Sequence, residues 1–267
     1  MLFFCDIVAI ISLLCYHKLE KSGNTVIFVK KDVFTYYSTQ TQREMKAVVM
    51  TPDDGVVHPV LYLLHGYSGD ERSLSDDNEI CSTIEECLDD CTVVFPYIYI
   101  SRQREQCTAL DFINSSAYDN FIFELTVSLM PNIEAKYAID SKKRAISGFS
   151  MGGRESLYIE FMRPDLFRVV GGACPAPGLT PGENKSLHPG QLKDEFFRPC
   201  TSCENYPKIL ISAAEKDTVV GDIPYRYSEL LKSNSVPHDF HVVMGGEHTN
   251  SSVAEHLREL SLLIHEI

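Results

Sequence analysis

The sequence predicts an α/β architecture, a mostly parallel central sheet flanked by helices on both faces. Three observations predict it. Continuous apolar runs ended by glycine-containing turns recur along the chain, as expected of strands buried on both faces. Stretches of helical periodicity fall between them, so that each strand can be joined to the next by a right-handed crossover. At Ser147-Gly148-Phe149-Ser150-Met151-Gly152-Gly153 one such run stops abruptly and a helical run begins.

The elements follow in order. Thr25 to Val29 and Lys46 to Met50 alternate or are β-branched, and are expected to open the sheet as an antiparallel pair with Thr51-Pro52-Asp53-Asp54-Gly55 as the turn. Pro59 to Leu64 is an unbroken apolar run that ends in His65-Gly66-Tyr67-Ser68-Gly69-Asp70. Residues 79 to 90 can form an amphipathic helix, Thr92 to Ile100 a buried strand, and Tyr118 to Ala135 a helix interrupted late by Pro131. Asp140 to Phe149 reads as the strand into the glycine-rich turn, Arg154 to Met162 as the helix out of it, and Phe167 to Cys174 as the next strand. Between Pro175 and Pro207 the pattern disappears, and Pro177, Pro181, Pro189, Pro199, Gly178, Gly182 and Gly190 mark an irregular insertion over residues 175–207. A long loop after a strand's C-terminal end is expected to act as a lid or substrate wall. Order returns with a strand at Lys208 to Ala213, a helix at Ile223 to Ser233, a strand at His238 to Met244 and a terminal helix at Ser251 to Ile264.

With 267 residues, 44% of them hydrophobic, the chain can bury one large core, and no linker composition interrupts residues 18–267, which read as one domain. A net charge of −13 leaves no basic stripe for phosphates and argues against a nucleic-acid partner. Met1 to Tyr16 is almost wholly apolar, and residues 1–17 read as a signal peptide, with an apolar N-terminal segment as the alternative. Export is the expectation, and cytoplasmic residence the alternative; no stable membrane association is expected after processing. Of nine cysteines, Cys200 and Cys203 form a single C-x-x-C. Without a second such pair or a histidine pair at ligand spacing, no metal site is expected. Export would allow one or two disulfides, whose pairing the spacing does not give. Asn114, Asn184 and Asn250 each begin an N-x-S sequon.

The turn at Ser150 meets the pattern G-x-S-x-G through Gly148 and Gly152. A serine on a tight strand-to-helix turn has its hydroxyl clear of the backbone, but the turn crowds the positions two before and two after, where only small residues fit. Ser150 is therefore the candidate nucleophile. A serine hydroxyl needs a base, and the base needs a group that fixes its tautomer. Of the downstream histidines, His188 lies in the insertion, His238 and His241 flank or occupy a strand, and His256 and His265 fall in the terminal helix. Only His248 follows the last strand on a glycine-rich loop, so it is the candidate base. Asp217, after the preceding strand, is the candidate acid. Asp222 competes but is placed to cap the next helix, where Pro224 falls early, and Glu215 is a weaker competitor. The backbone amides of Tyr67 and Met151 are the expected oxyanion donors, each commonly worth about 3 kcal/mol to the transition state. His65, Gly66, Pro175, Ala176 and His188 are the expected substrate contacts. No cofactor is implied.

Three stretches carry a resemblance: Tyr62-Leu63-Leu64-His65-Gly66, Gly148-Phe149-Ser150-Met151-Gly152-Gly153-Arg154-Glu155 and Pro164-Asp165-Leu166-Phe167. With Tyr36-Tyr37-Ser38-Thr39 and Cys174-Pro175-Ala176-Pro177-Gly178, the chain from Phe34 onward resembles the esterase D-like α/β hydrolases. Within these it is most similar to carbohydrate esterase family 1, the feruloyl and acetylxylan esterases. The resemblance implies an α/β-hydrolase fold and serine carboxylesterase activity through an acyl-enzyme, with the roles on Ser150, His248 and Asp217. It implies acylated plant cell-wall polysaccharide, feruloyl, other hydroxycinnamoyl or acetyl xylan esters, as the substrate. S-formylglutathione or other thioester hydrolysis and siderophore-ester hydrolysis are the alternative reactions, and a catalytically silent binding module is the alternative of another class.

Overall fold

The computed structural model describes residues 29–101, 112–179 and 206–267. Eight strands, β1 (Val29–Ser38), β2 (Arg43–Pro52), β3 (His58–Leu64), β4 (Thr92–Pro96), β5 (Ile139–Gly148), β6 (Val169–Ala173), β7 (Lys208–Ala214) and β8 (Asp239–Val243), form one sheet in the order β1-β2-β4-β3-β5-β6-β7-β8. The six strands from β4 to β8 are mutually parallel, while β2 runs antiparallel to β1 and to β4. This is the α/β-hydrolase fold. Helices α1 (Asn78–Cys87) and α7 (Asn250–Ile264) cover one face, packing Ile80, Ile84, Val253, Leu257 and Leu260 against Leu61, Leu63, Ala145, Val169 and Leu210. The other face is covered by α2 (Phe112–Asp119), α3 (Phe121–Glu124), a π-helical turn (Leu125–Leu129), α4 (Met130–Lys136), α5 (Met151–Met162) and α6 (Ile223–Ser233).

The antiparallel opening pair exists, but its first strand starts where the expected one ends. Thr25 to Phe28 lie outside the described residues, and the partner of Lys46–Met50 is β1, with Phe34 opposite Ala47 and Tyr36 opposite Met45. The inward residues Phe34, Tyr36 and Ser38 are buried while Tyr37 stands 60% exposed, so a tyrosine-rich strand hides its alternation. Thr39–Gln42, not the stretch at 51–55, connects the pair; Gln42 occupies the left-handed region and its amide donates to Ser38 O. The helix expected over 118–135 is broken at Asn120 and then runs unbroken through Pro131 to Lys136, with a π-helical turn at Leu125–Leu129. Proline carries no amide proton, and just before it the bonding slips by one residue, with Met130 N–H reaching Leu125 O. The strand expected to reach Ile100 stops at Pro96. No described helix is long and apolar enough to cross a membrane.

Candidate active site

Between the end of β5 at Gly148 and the start of α5 at Met151, only Phe149 and Ser150 make the turn. Ser150 has φ 56° and ψ −113°. A residue with a Cβ is held there at a cost on the order of 1–3 kcal/mol, and only by surroundings that over-determine it. Those surroundings are visible. Ser150 N–H donates to Ala173 O at 2.9 Å, Phe149 N–H donates to Leu64 O at 3.0 Å, and Ser150 O accepts from the amides of Arg154 and Ala176 at 3.0 and 2.9 Å. A Cβ on Gly148 would lie 2.4 Å from the Gly152 carbonyl carbon, and one on Gly152 would lie 2.4 Å from Leu64 O. Packing therefore demands both glycines of the pattern. The turn also sets Ser150 at the N-terminus of α5, where the Met151 amide has no acceptor in its own helix and the helix dipole favours negative charge.

Asp217 follows β7 and His248 follows β8. His248 Nδ1 and Asp217 Oδ2 are 2.7 Å apart, and Asp217 Oδ1 accepts from the amides of Val219 and Val220 at 2.8 and 3.0 Å. Burial by itself would raise the Asp217 pKa, but the bonds from His248, Val220 and Val219 outweigh it and hold the carboxyl below its ordinary range. An ionised Asp217 fixes the proton on His248 Nδ1 and leaves Nε2 as the basic nitrogen. The imidazole packs against the Phe149 ring at a 35° tilt, centroids 4.5 Å apart, which sets it beside the turn. Among the described residues no hydrogen bond joins Ser150 to His248; such contacts commonly tighten when substrate binds. The loops carrying acid and base are fastened to each other: Glu215 N–H donates to Val243 O, Lys216 N–H to Gly246 O, and Gly245 N–H to the Glu215 carboxylate, at 3.1, 2.8 and 2.7 Å.

Cys174, with φ 45°, completes the surroundings of the acid. Its Sγ, an Asp217 oxygen and a His248 nitrogen lie within 4.8 Å of one another. Burial and then the Asp217 charge push the thiol up to about 12, so it stays protonated beside the carboxylate. These are donor types that hold metal ions, but Asp217 and His248 already share a proton at 2.7 Å, closer than the roughly 3.4 Å between ligands of a tetrahedral ion. The geometry fits a proton, and no step through a metal is derived.

The turn after β3 closes the other side. A Cβ on Gly66 would lie 3.5 Å from Ser150 Cβ and from Phe149 Cδ1, so the Gly66-Tyr67 turn, which carries the expected Tyr67 amide, rests against the serine. His65, expected to touch substrate, instead holds this turn. It is 2% exposed; Ile98 N–H donates to its Nε2 at 3.1 Å, so Nδ1 carries the proton and donates to Gly66 O at 2.7 Å. Burial keeps the ring neutral, lowering its pKa to about 4 although the Gly66 bond opposes this. Tyr67 packs 6.0 Å from Tyr118, which takes Tyr99 edge-on at 5.3 Å and accepts from Ser68 N–H at 3.2 Å.

Pro175 and Ala176 are buried, and the Ala176 amide is spent on Ser150 O. They form the foot of the insertion; His188 lies outside the described residues. Tyr227 OH donates to Ala176 O at 2.9 Å and accepts from Leu179 N–H at 3.1 Å. Arg154, fully buried, pairs through Nη1 with Asp119 and Glu155, donates from Nη2 to Gly178 O at 3.2 Å, and lies 4.8 Å over the Tyr158 ring.

Residues 38–216 match the model of a family described as "Putative esterase". The chain belongs to this esterase family. Two structures of a carbohydrate esterase family 1 ferulic acid esterase from the anaerobic fungus Anaeromyces mucronatus are similar over nearly the whole esterase. The complex with ferulic acid is 33% identical, covers 91% of this chain and 92% of that one, and superposes with a TM-score of 0.78; the substrate-free form is 31% identical over the same shares, with a TM-score of 0.79. An S-formylglutathione hydrolase from Staphylococcus aureus shares the fold at 17% identity, covering 88% of this chain and 96% of that one, with a TM-score of 0.67. The protein is a serine carboxylic ester hydrolase resembling carbohydrate esterase family 1. Sequence reasoning missed the buried supports of this esterase, Arg154, Tyr227 and Cys174. The signal for Arg154 was available, an Arg154-Glu155 charged pair directly behind a glycine turn at the start of a helix that continues with Ser156, Leu157 and Ile159.

Proposed function

We propose that this esterase removes hydroxycinnamoyl or acetyl groups from plant cell-wall polysaccharide, with Ser150 as nucleophile, His248 as general base and acid, and Asp217 as its orienting carboxylate. The observation that carries the reading is the 2.7 Å His248–Asp217 bond packed against the residue before a strained serine. Ser150 Oγ attacks the ester carbonyl as its proton passes to His248 Nε2. The oxyanion is met by the amides of Met151 and Tyr67, and Asp217 stabilises the imidazolium. His248 then protonates the departing alcohol, the acyl group stays on Ser150, and a water activated by His248 frees the acid. Apart from that water and the substrate, each group named in this sequence is a side chain or amide of the protein.

The substrate class is supported by the one-third identity to a protein solved with ferulic acid and by the tyrosines around the Gly66-Tyr67 turn, which suit a planar phenolic acyl group. The apolar Met1–Tyr16 stretch supports export to where such polymers are met. Methyl ferulate, acetylated xylan and S-formylglutathione assayed side by side, on the wild type and on Ser150→Ala, test the reading. Hydrolysis of the oxygen esters, lost by about three decades or more in Ser150→Ala, is expected. Turnover of the thioester alone would overturn the polysaccharide assignment, and a Ser150 that a fluorophosphonate leaves unlabelled would point to a binding module.

A further inference from the structure

Beneath the active site lies a second serine and histidine cluster that the reaction does not use. His256, in the middle of α7, is completely buried. Its Nε2 is 2.9 Å from Ser147 Oγ on β5 and its Nδ1 is 2.7 Å from Ser212 Oγ on β7. The strand between these two is β6, and the ring crosses it at Gly171, where a Cβ would come within 2.4 Å of Ser147 Oγ and 2.6 Å of His256 Nε2. A neutral imidazole has one donor and one acceptor, and a serine hydroxyl can be either, so both bonds are satisfied without charge.

The positions matter. Ser147 lies on β5, the strand that leads into the Ser150 turn, Ser212 lies on β7, the strand that leads into the Asp217 loop, and His256 lies in α7, the helix that the His248 loop enters. We infer that His256 is a positioning residue: its ring clips together the three elements that carry the nucleophile, the acid and the base, and so fixes the register of α7 against the sheet. Apolar contacts from Val253, Leu257, Leu260 and Ile264 also hold α7 down, but they have no direction and tolerate a slide. A slip of one residue along a helix is about 1.5 Å, and a misplacement of about 1 Å can cost a catalytic constellation 10²-fold. Two hydrogen bonds to different strands remove that freedom.

The inference rests on Ser150, Asp217 and His248 being the reacting groups, which Ser150→Ala tests separately. The full-length esterase carrying His256→Leu is compared with Ile264→Ala, a buried truncation on the same helix but away from the cluster. For each, Tm, kcat, KM and the rate of Ser150 labelling by a fluorophosphonate are measured. His256→Leu is expected to lower kcat and the labelling rate by about 10- to 100-fold with KM within about twofold, while Ile264→Ala loses Tm and keeps kcat within about threefold. An unchanged kcat in His256→Leu overturns the inference, as does an equal loss of kcat in Ile264→Ala at matched Tm. Should His256→Leu not fold, Ser147→Ala and Ser212→Ala, which remove one bond each, carry the test: a kcat unchanged in both overturns it.

Discussion

Two serine and histidine clusters lie one above the other in this esterase, and they differ in what surrounds the imidazole. At the C-terminal end of the sheet, His248 is partly exposed, faces an ionised Asp217 and packs beside a serine forced into a strained turn. Below it, His256 is sealed from solvent, faces two hydroxyls and meets a serine within a regular strand. A carboxylate gives the first ring a partner for the positive charge it would carry in the proposed proton transfer. Hydroxyls give the second ring no such partner, and burial, with His241 nearby, lowers its pKa to about 3. A Ser···His hydrogen bond is therefore no mark of catalysis; a third group and access decide.

The largest break in the contrast comes from taking away the carboxylate. Asp217→Asn gives His248 a neutral neighbour like those of His256, and kcat is expected to fall by about 10⁴-fold, read by steady-state ester hydrolysis. Asp222→Asn serves as the control and should stay within about twofold, because Asp222 stands at the N-cap position of α6 without a side-chain capping bond. Next in size is the buried group that keeps its charge. Arg154→Met would leave Asp119 and Glu155 without their cation, at a cost of about 3–5 kcal/mol of unfolding free energy, read by urea denaturation. Raising pH should make this worse: burial holds Glu155 up to about 8 even against the lowering by Arg154, and without that cation it moves higher, so the stability of its protonated form is lost as pH rises toward the folded value.

The smallest effect sharpens the contrast through pH. His65 and His256 have folded pKa values lowered to about 4 and about 3 from an ordinary 6.5. Lowered values mean that the unfolded chain takes up protons first, so the stability they contribute is present above about pH 6.5 and is lost as pH falls toward the folded values. Each contributes a slope of up to about 1.4 kcal/mol per pH unit across that window. Urea titrations between pH 6.5 and 4.5 should show the wild type losing stability steadily, and His256→Leu losing it with about one histidine's slope fewer.

Much of this was legible in the sequence because the chemistry imposes local pattern. The glycines around Ser150 are required by atoms 2.4 Å away, and β-branched runs mark strands buried on both faces. His248 stood out because, of the downstream histidines, it alone follows the last expected strand on a glycine-rich loop. What could not be read was partnership across the fold. His65 follows a buried strand on a glycine turn, as a substrate contact would, yet its two nitrogens are consumed by Ile98 and Gly66, and nothing in the chain around residue 98 announces that. His256 falls in the terminal helix with no local mark; that its partners belong to the strands leading into Ser150 and Asp217 appears only once the sheet order is known. The first strand was misplaced because an exposed Tyr37 masks the alternation.

The foot of the insertion, where Ala176 bonds to Ser150 and Tyr227 and where Gly178 bonds to Arg154, has a practical reading for anyone reshaping this enzyme. It is a natural seam. Replacement segments spliced between Leu179 and Tyr206 would begin downstream of the bonds that Ala176, Gly178 and Leu179 make to Ser150, Arg154 and Tyr227, so the expectation that the insertion sets acyl preference can be tested there with those bonds left in place.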